Sequence, residues 1–198
     1  MVTVRPLTGS EPVDAAPAVV ALDGWSLERL EGDDAPLVAE LLNQRGNRYV
    51  LDIPPDDNLI RAALFEIQQQ PWTLALALVK DGAVGGMATT ALVNVKARNA
   101  SLIGLFVDPP NATVPLALYV RHLFWSFPLH RLHAQIPAMD LTREYVKLAE
   151  SVGFVEEGRL PEYASIGGQA FDMVALGLTR REFEEWCAAH EPRLVLDS

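Results

Sequence analysis

The chain has 198 residues, a length that favours one domain, and 49% of them are hydrophobic, which excludes a disordered chain. Its 16 Lys and Arg against 26 Asp and Glu give a formal net charge of −10. This balance argues against broad nucleic-acid binding and against docking on an anionic membrane, because both need clustered cations.

The single cysteine, Cys187, excludes an intrachain disulfide and a cysteine-based zinc site. The four histidines are scattered, with no His-x-x-x-His pair, so we expect no metal. No apolar run approaches the roughly 20 residues of a membrane span, and no basic segment followed by an apolar one opens the chain. We therefore expect a soluble, cytoplasmic protein.

Hydrophobic periodicity and turn residues divide the chain into an N-terminal extension, residues 1–24, and a single domain, residues 25–198. In chain order, we predict a strand over 25–30, helices over 35–43 and 57–69, strands over 72–79, 83–95 and 100–107, a helix over 113–127, a strand over 132–136, a helix over 141–152, strands over 154–159 and 170–178, and a helix over 180–189. The three middle strands suggest an antiparallel meander.

Four segments match one family's motifs in order and at close to their spacing, within roughly Trp25 to Trp186. They are IGL at Ile103–Leu105, FWSFPLHRL at Phe124–Leu132, LAESVGFVEEG at Leu148–Gly158, and Asp172 followed by Glu184-Glu185-Trp186. On these residues the chain resembles the RimJ/RimL-like branch of the GNAT N-acetyltransferases.

The resemblance implies the α/β GNAT fold, a mixed and mostly antiparallel central sheet of about seven strands flanked by helices. The family's fourth and fifth strands splay apart, and here they would be residues 100–107 and 132–136. The implied activity moves an acetyl or other acyl group from a thioester, acetyl-CoA first, to an amine of a small molecule or a protein N-terminus. The donor's pantetheine arm would pair like an added strand with the backbone of Leu105, Phe106 and Val107.

The loop after the predicted fourth strand departs from the family's R/Q-x-x-G-x-G/A pattern, whose backbone N–H groups hold the pyrophosphate. This chain reads VDPPNATVP over Val107–Pro115, without glycine, and two prolines after Asp108 remove N–H donors. Asp108 also adds a negative charge where phosphate would lie. The resemblance leaves Asn111, Ala112 and Thr113 as the residues that would hold the donor there.

Two side chains are candidates for the chemistry of acyl transfer, which needs a proton donor for the thiolate and a base for the amine. The family's helix tyrosine aligns with Ala149, and Tyr145, one turn away, could supply a phenol instead; core packing explains it equally well. Thr142 aligns with the family's donor-binding Asn. His133 shares a sheet face with Arg131 and could act as a base through water, although a surface strand histidine is the more ordinary interpretation.

Four residues are candidates for the acceptor site. Arg45, Asn47 and Arg48 lie between the first two helices, a segment that commonly lines the acceptor pocket in this fold, and the arginines could bind a carboxylate. Tyr163 lies in the last hairpin, which also borders the acceptor in the family. An exposed polar loop explains the arginines equally well.

Because of the altered loop, the sequence does not decide which molecule donates the acyl group. One hypothesis is an enzyme that uses acetyl-CoA with fewer phosphate contacts. The others are a GNAT-fold protein that takes acyl groups from a carrier protein or an aminoacyl-tRNA, and a non-catalytic binding module. Apart from a tRNA-linked donor we expect no nucleic-acid partner. The exposed edge of the meander is compatible with a homodimer.

Overall fold

A computed structural model describes residues 21–44, 46–50, 54–69 and 73–194. Within them eight strands form one sheet in the order β1-β2-β3-β4-β5-β6-β8-β7. The strands are β1 (Ala21–Leu22), β2 (Trp25–Arg29), β3 (Ala75–Lys80), β4 (Ala83–Asn94), β5 (Asn99–Phe106), β6 (Arg131–Pro137), β7 (Val155–Ile166) and β8 (Gln169–Thr179). Most of the expected extension, residues 1–20, lies outside the described residues, and its last part supplies β1.

Every strand pair is antiparallel except β5 with β6. That parallel ladder has three residue pairs, Asn99 with Arg131, Ala100 with Leu132 and Ser101 with His133. The remainder of each strand continues unpaired to the other, so the sheet splays at this point. The predicted α/β fold with a splayed strand pair is confirmed, with β1 as a strand beyond the expected seven.

Six α-helices cover the sheet in the described part of the chain. They are α1 (Ala35–Leu42), α2 (Asn47–Val50), α3 (Asp57–Gln69), α4 (Thr113–Ser126), α5 (Arg143–Ser151) and α6 (Arg180–His190). Five were predicted from periodicity, and α2 was missed because four residues are too few to show a helical period. None of these helices has the length and apolar character needed to cross a bilayer.

The helices divide between the two faces of the sheet. Residues of α4, α5 and α6 form the larger core with apolar side chains such as Leu102 and Phe106 of β5. Residues of α1 and α3 form a second core with the opposite face, which includes Leu105. Neighbouring residues of β5 therefore belong to different cores, as alternation along a strand requires.

Within the described residues, no group of three or more His, Cys, Asp or Glu side chains is arranged to hold a metal ion.

Helix α4 carries titratable groups into the core. His122 is 3% exposed, and its Nδ1 finds no hydrogen-bond partner among the described residues. Arg121, also buried, donates from Nε to the Leu194 carbonyl at 3.1 Å. Burial raises the pKa of the nearby Cys187 thiol to about 12, so it is protonated and unreactive at neutral pH.

Replacing His122 with Gln should make the free energy of unfolding fall less when the pH is lowered. Burial first, and then the charge of Arg121, lower the pKa of His122 from its ordinary 6.5. The unfolded state therefore binds this proton more readily, and the free energy of unfolding falls as the pH drops below 6.5, by at most about 1.4 kcal/mol per pH unit. Above pH 6.5 the imidazole is neutral in both states and has no such effect.

Urea unfolding at pH 7 and pH 5 measures this difference. The wild type should lose more stability between the two values than His122→Gln. The exposed His190 provides the control, since His190→Gln should lose as much as the wild type. Equal losses for all three proteins would show that His122 does not titrate in this way.

Candidate active site

The splay between β5 and β6 opens a cavity of about 40 Å³. Its lining includes Leu102, Gly104 and Phe106 from β5, Ala134 and Ile136 from β6, and Tyr145 and Leu148 from α5. By the criterion of ~10–15 Å³ per water molecule, this space holds a few waters. It is mainly apolar and lies where the resemblance placed the donor, but a pantetheine arm would need it to widen.

Strand register decides which peptide groups of β5 face this cleft. The Val107 N–H donates to the Gly85 carbonyl at 2.9 Å, and Leu105 is paired with Met87. Since peptide groups in an antiparallel ladder alternate in direction, those of Leu105 and Val107 face β4, and that of Phe106 faces the cleft. The prediction that all three backbones face the donor is corrected to Phe106 alone.

The Phe106 peptide is already hydrogen-bonded within the protein. Its N–H donates to the Tyr145 hydroxyl at 3.2 Å, and its carbonyl accepts from Asn47 Nδ2 at 3.3 Å. The Tyr145 hydroxyl in turn donates to Asn47 Oδ1. We call Phe106, Tyr145 and Asn47 the cleft network. It joins three elements, β5, α5 and α2, at the opening of the sheet.

The phenol of Tyr145 is kept neutral by its surroundings. The side chain is 5% exposed, and its ring lies 6.1 Å from that of Phe106, centroid to centroid. Burial raises the pKa of Tyr145 to about 12, although the hydrogen bond from the Phe106 backbone opposes the rise. At neutral pH the hydroxyl therefore carries its proton, as a general acid must.

Asn47 reaches the cleft because the chain before it passes very close to the turn that precedes α5. A Cβ on Gly46 would lie 2.8 Å from the Leu141 carbonyl oxygen, and the φ of Gly46 is +97°, so only glycine fits there. Asn47 was predicted to contact the acceptor, and this is corrected: its side chain is 0% exposed and belongs to the cleft network.

The loop between β5 and α4 uses up most of its own N–H groups. The Asn111 N–H donates to the Asp108 carbonyl and the Ala112 N–H to the Pro109 carbonyl, both at 3.1 Å. Proline at 109, 110 and 115 has no N–H. In the first turn of α4 this leaves the N–H groups of Thr113 and Val114 to meet an anion. Three residues were predicted to hold the pyrophosphate there, and the N–H groups of Asn111 and Ala112 donate to carbonyls within the loop. Thr113 is therefore the one of the three whose N–H could still donate to an anion.

Side chains of the same loop are also engaged. The exposed Asp108 carboxylate accepts from Asn111 Nδ2 at 2.8 Å, and the Thr113 hydroxyl lies 2.8 Å from that of Ser151 at the end of α5. The region that would receive a pyrophosphate thus has a carboxylate beside it and few donors directed outward.

His133 lies on the sheet face opposite Tyr145. It is paired with Ser101 of β5, whose side chain shares the face of Leu105. Burial first, and then the charge of Arg131, lower the pKa of His133, while Glu157 partly opposes them. Arg131 is itself ion-paired with Glu157. The half-buried imidazole is consequently neutral at pH 7 and able to accept a proton.

The remaining predicted residues do not converge on the cleft. Thr142 is fully buried, and its hydroxyl is directed at the carbonyls of Pro137 and Met139, so its predicted contact with the donor is corrected to a structural role in the turn before α5. Arg48 is exposed, and Tyr163, on β7, is 63% exposed. Arg45 lies outside the described residues.

Comparison with known proteins shows which fold the chain has. No family model matches the chain, and no curated protein matches it. Among solved structures, a probable acetyltransferase is 21% identical with a TM-score of 0.69, covering 81% of this chain and 96% of its own. The spermidine N-acetyltransferase of Vibrio cholerae in complex with CoA and spermine is 18% identical with a TM-score of 0.72, covering 82% of this chain and 99% of its own. At these identities the likeness shows the fold, and that fold is the GNAT fold of the acetyltransferases.

Proposed function

We propose that this chain is an N-acyltransferase that moves an acyl group from a pantetheine thioester to an amine by direct transfer. The cleft between β5 and β6 is the observation that carries the proposal, because it holds one peptide N–H that is not part of the strand ladder, that of Phe106, beside one neutral phenol, that of Tyr145. A thioester under attack needs a donor for its oxyanion and a proton for its leaving thiolate.

The chemistry assigns one role to each group. The amine nitrogen forms a bond to the acyl carbon, and the bond from carbon to sulfur breaks. The Phe106 N–H donates to the thioester oxygen, and Tyr145 gives its proton to the thiolate. His133 accepts the proton that the amine loses, through water, and exchange with solvent restores both side chains. No cysteine takes part, since Cys187 is buried and protonated.

The acceptor approaches from the face of His133. That side of β6 is accessible, with His133 half-buried and Gln135 exposed. Solved structures of the same fold include an acetyltransferase bound to CoA and spermine, which supports a small-molecule amine as the acceptor class. A protein N-terminus fits the same open face.

The donor is held mainly by its pantetheine arm. The loop before α4 offers an anion two N–H groups, those of Thr113 and Val114, and places Asp108 beside them. This favours acetyl-CoA bound with little help from its nucleotide, and it also favours the second candidate, a donor whose pantetheine is attached to a carrier protein. The two donors present the same pantetheine thioester to the cleft and differ only in the group attached to the other end of the pantetheine arm.

Acetyl-pantetheine and acetyl-CoA should bind with affinities within about tenfold of each other, because few contacts exist for the pyrophosphate. Isothermal titration calorimetry measures both, and product formation with a panel of amines tests transfer. A preference of more than a hundredfold for acetyl-CoA would contradict the account of the loop. Binding of neither compound at millimolar concentration would refute the acyltransferase itself.

Replacing Asp108 with Asn should strengthen acetyl-CoA binding about two- to fivefold at low salt, because a like charge near the phosphates is removed while the acceptor for Asn111 remains. Acetyl-pantetheine, which has no phosphate, should bind unchanged. Glu66→Gln is the matched control, since it removes an exposed carboxylate on α3, which packs with the other core. Equal gains for both variants would indicate a general charge effect.

Replacing His133 with Gln should lower kcat/KM about a hundredfold at pH 7, the ordinary contribution of a general base. Because the pKa of His133 is lowered, wild-type kcat/KM should decline only below pH 6.5, and the variant should lack that decline. His130→Gln, which changes an exposed histidine just before β6, should behave as wild type. A wild-type pH profile in His133→Gln would remove this residue from the mechanism.

A further inference from the structure

The orientation of the Asn47 side-chain amide is fixed by its partners. One end of the amide faces two backbone carbonyl oxygens, that of Leu41 at 2.7 Å and that of Phe106 at 3.3 Å. Carbonyl oxygens only accept, so this end is the NH₂ group and uses both of its protons. The opposite end is the carbonyl oxygen Oδ1, which can only accept, and it faces the Tyr145 hydroxyl.

This arrangement fixes the direction of the phenol proton. Tyr145 donates to Asn47 Oδ1, and its oxygen accepts from the Phe106 N–H at 3.2 Å; its contact with the Phe106 carbonyl, at 3.4 Å, is longer. The hydroxyl therefore already accepts the hydrogen bond from the Phe106 N–H, the peptide group that a thioester oxygen would need as its donor. Its proton is also directed at Asn47 and not at a sulfur atom in the cleft.

We propose that Asn47 is a positioning residue that holds Tyr145 in the donor cleft, and that an incoming thioester takes over the Phe106 N–H as Tyr145 swings away. This inference rests on the proposed function. The cavity of about 40 Å³ agrees with it, because a pantetheine arm fits only after a side chain has moved. Release from Asn47 would also turn the phenol proton toward the leaving sulfur, so that donor binding and activation of the acid are one event.

Replacing Tyr145 with Phe should change binding and rate in opposite directions. The Phe106 N–H is then free, so acetyl-CoA should bind about three- to tenfold more tightly, the effect of removing one competing neutral hydrogen bond. The proton donor is lost, so kcat should fall at least tenfold. A Tyr145 that only packs in the core would give unchanged or weaker binding, and that result would overturn the proposal.

The matched control is Tyr119→Phe. Tyr119 is a fully buried tyrosine on α4 whose hydroxyl donates to the Leu74 carbonyl at 2.8 Å, and that carbonyl keeps the Thr90 N–H as a second partner. Removing this hydroxyl should change neither acetyl-CoA affinity nor kcat by more than about twofold, the scatter expected for a residue outside the site.

A double-mutant cycle tests whether Asn47 acts through Tyr145. Asn47→Ala should tighten acetyl-CoA binding about three- to tenfold in the wild-type background, because Tyr145 is then no longer held on the Phe106 N–H, and should not change the affinity in the Tyr145→Phe background. Its effect on thermal unfolding should be similar in both, because it leaves the same two carbonyls without their amide partner. Equal changes of acetyl-CoA affinity in both backgrounds would show a merely structural role.

The outcomes separate the two proposals. If the wild type neither binds nor uses a pantetheine thioester, the acyltransferase proposal fails and this one with it. If the wild type binds and reacts but Tyr145→Phe binds acetyl-CoA no more tightly, only the positioning role fails. The Tyr145→Phe measurement decides this even if Asn47→Ala does not fold, since phenylalanine preserves the packing against Phe106.

Discussion

The separation of β5 from β6 after three residue pairs is the constraint on which the rest of the site depends. Continued pairing would consume the cleft-facing peptide of Phe106 in the ladder. Because the strands part, that peptide instead meets side chains, the Tyr145 phenol and the Asn47 amide. The protein thus satisfies a buried backbone group with side chains instead of a neighbouring strand.

The same separation distributes the two groups that we propose to transfer protons. Tyr145 packs with Phe106 in the core under α4 and α5, while His133 shares the opposite face with Ser101. Burial raises the pKa of the phenol and lowers that of the imidazole, so both groups are neutral at pH 7. One is then a proton donor and the other a proton acceptor, on the two sides from which a donor and an acceptor would approach the sheet.

Much of the fold could be predicted from the sequence, because periodicity marks long elements; the helix predicted over 57–69 has the bounds of α3. The site was harder to predict. Asn47 and Tyr145 are 98 positions apart, and nothing in the local pattern of either indicates the contact. The direction of the Phe106 peptide depends on strand register, which residue spacing alone does not fix. The altered loop at Asp108 was readable in sequence because proline has no N–H wherever it stands.

A crystal structure with a donor analogue of acetyl-CoA in which a methylene group replaces the sulfur, so that the analogue keeps the acetyl carbonyl oxygen but cannot transfer the acetyl group, tests the central claim most directly. The account predicts the pantetheine arm between β5 and β6, the Phe106 N–H donating to the analogue, and the Tyr145 hydroxyl displaced from its position beside that N–H. An analogue bound elsewhere, with the hydrogen bonds among Phe106, Tyr145 and Asn47 intact, would contradict it.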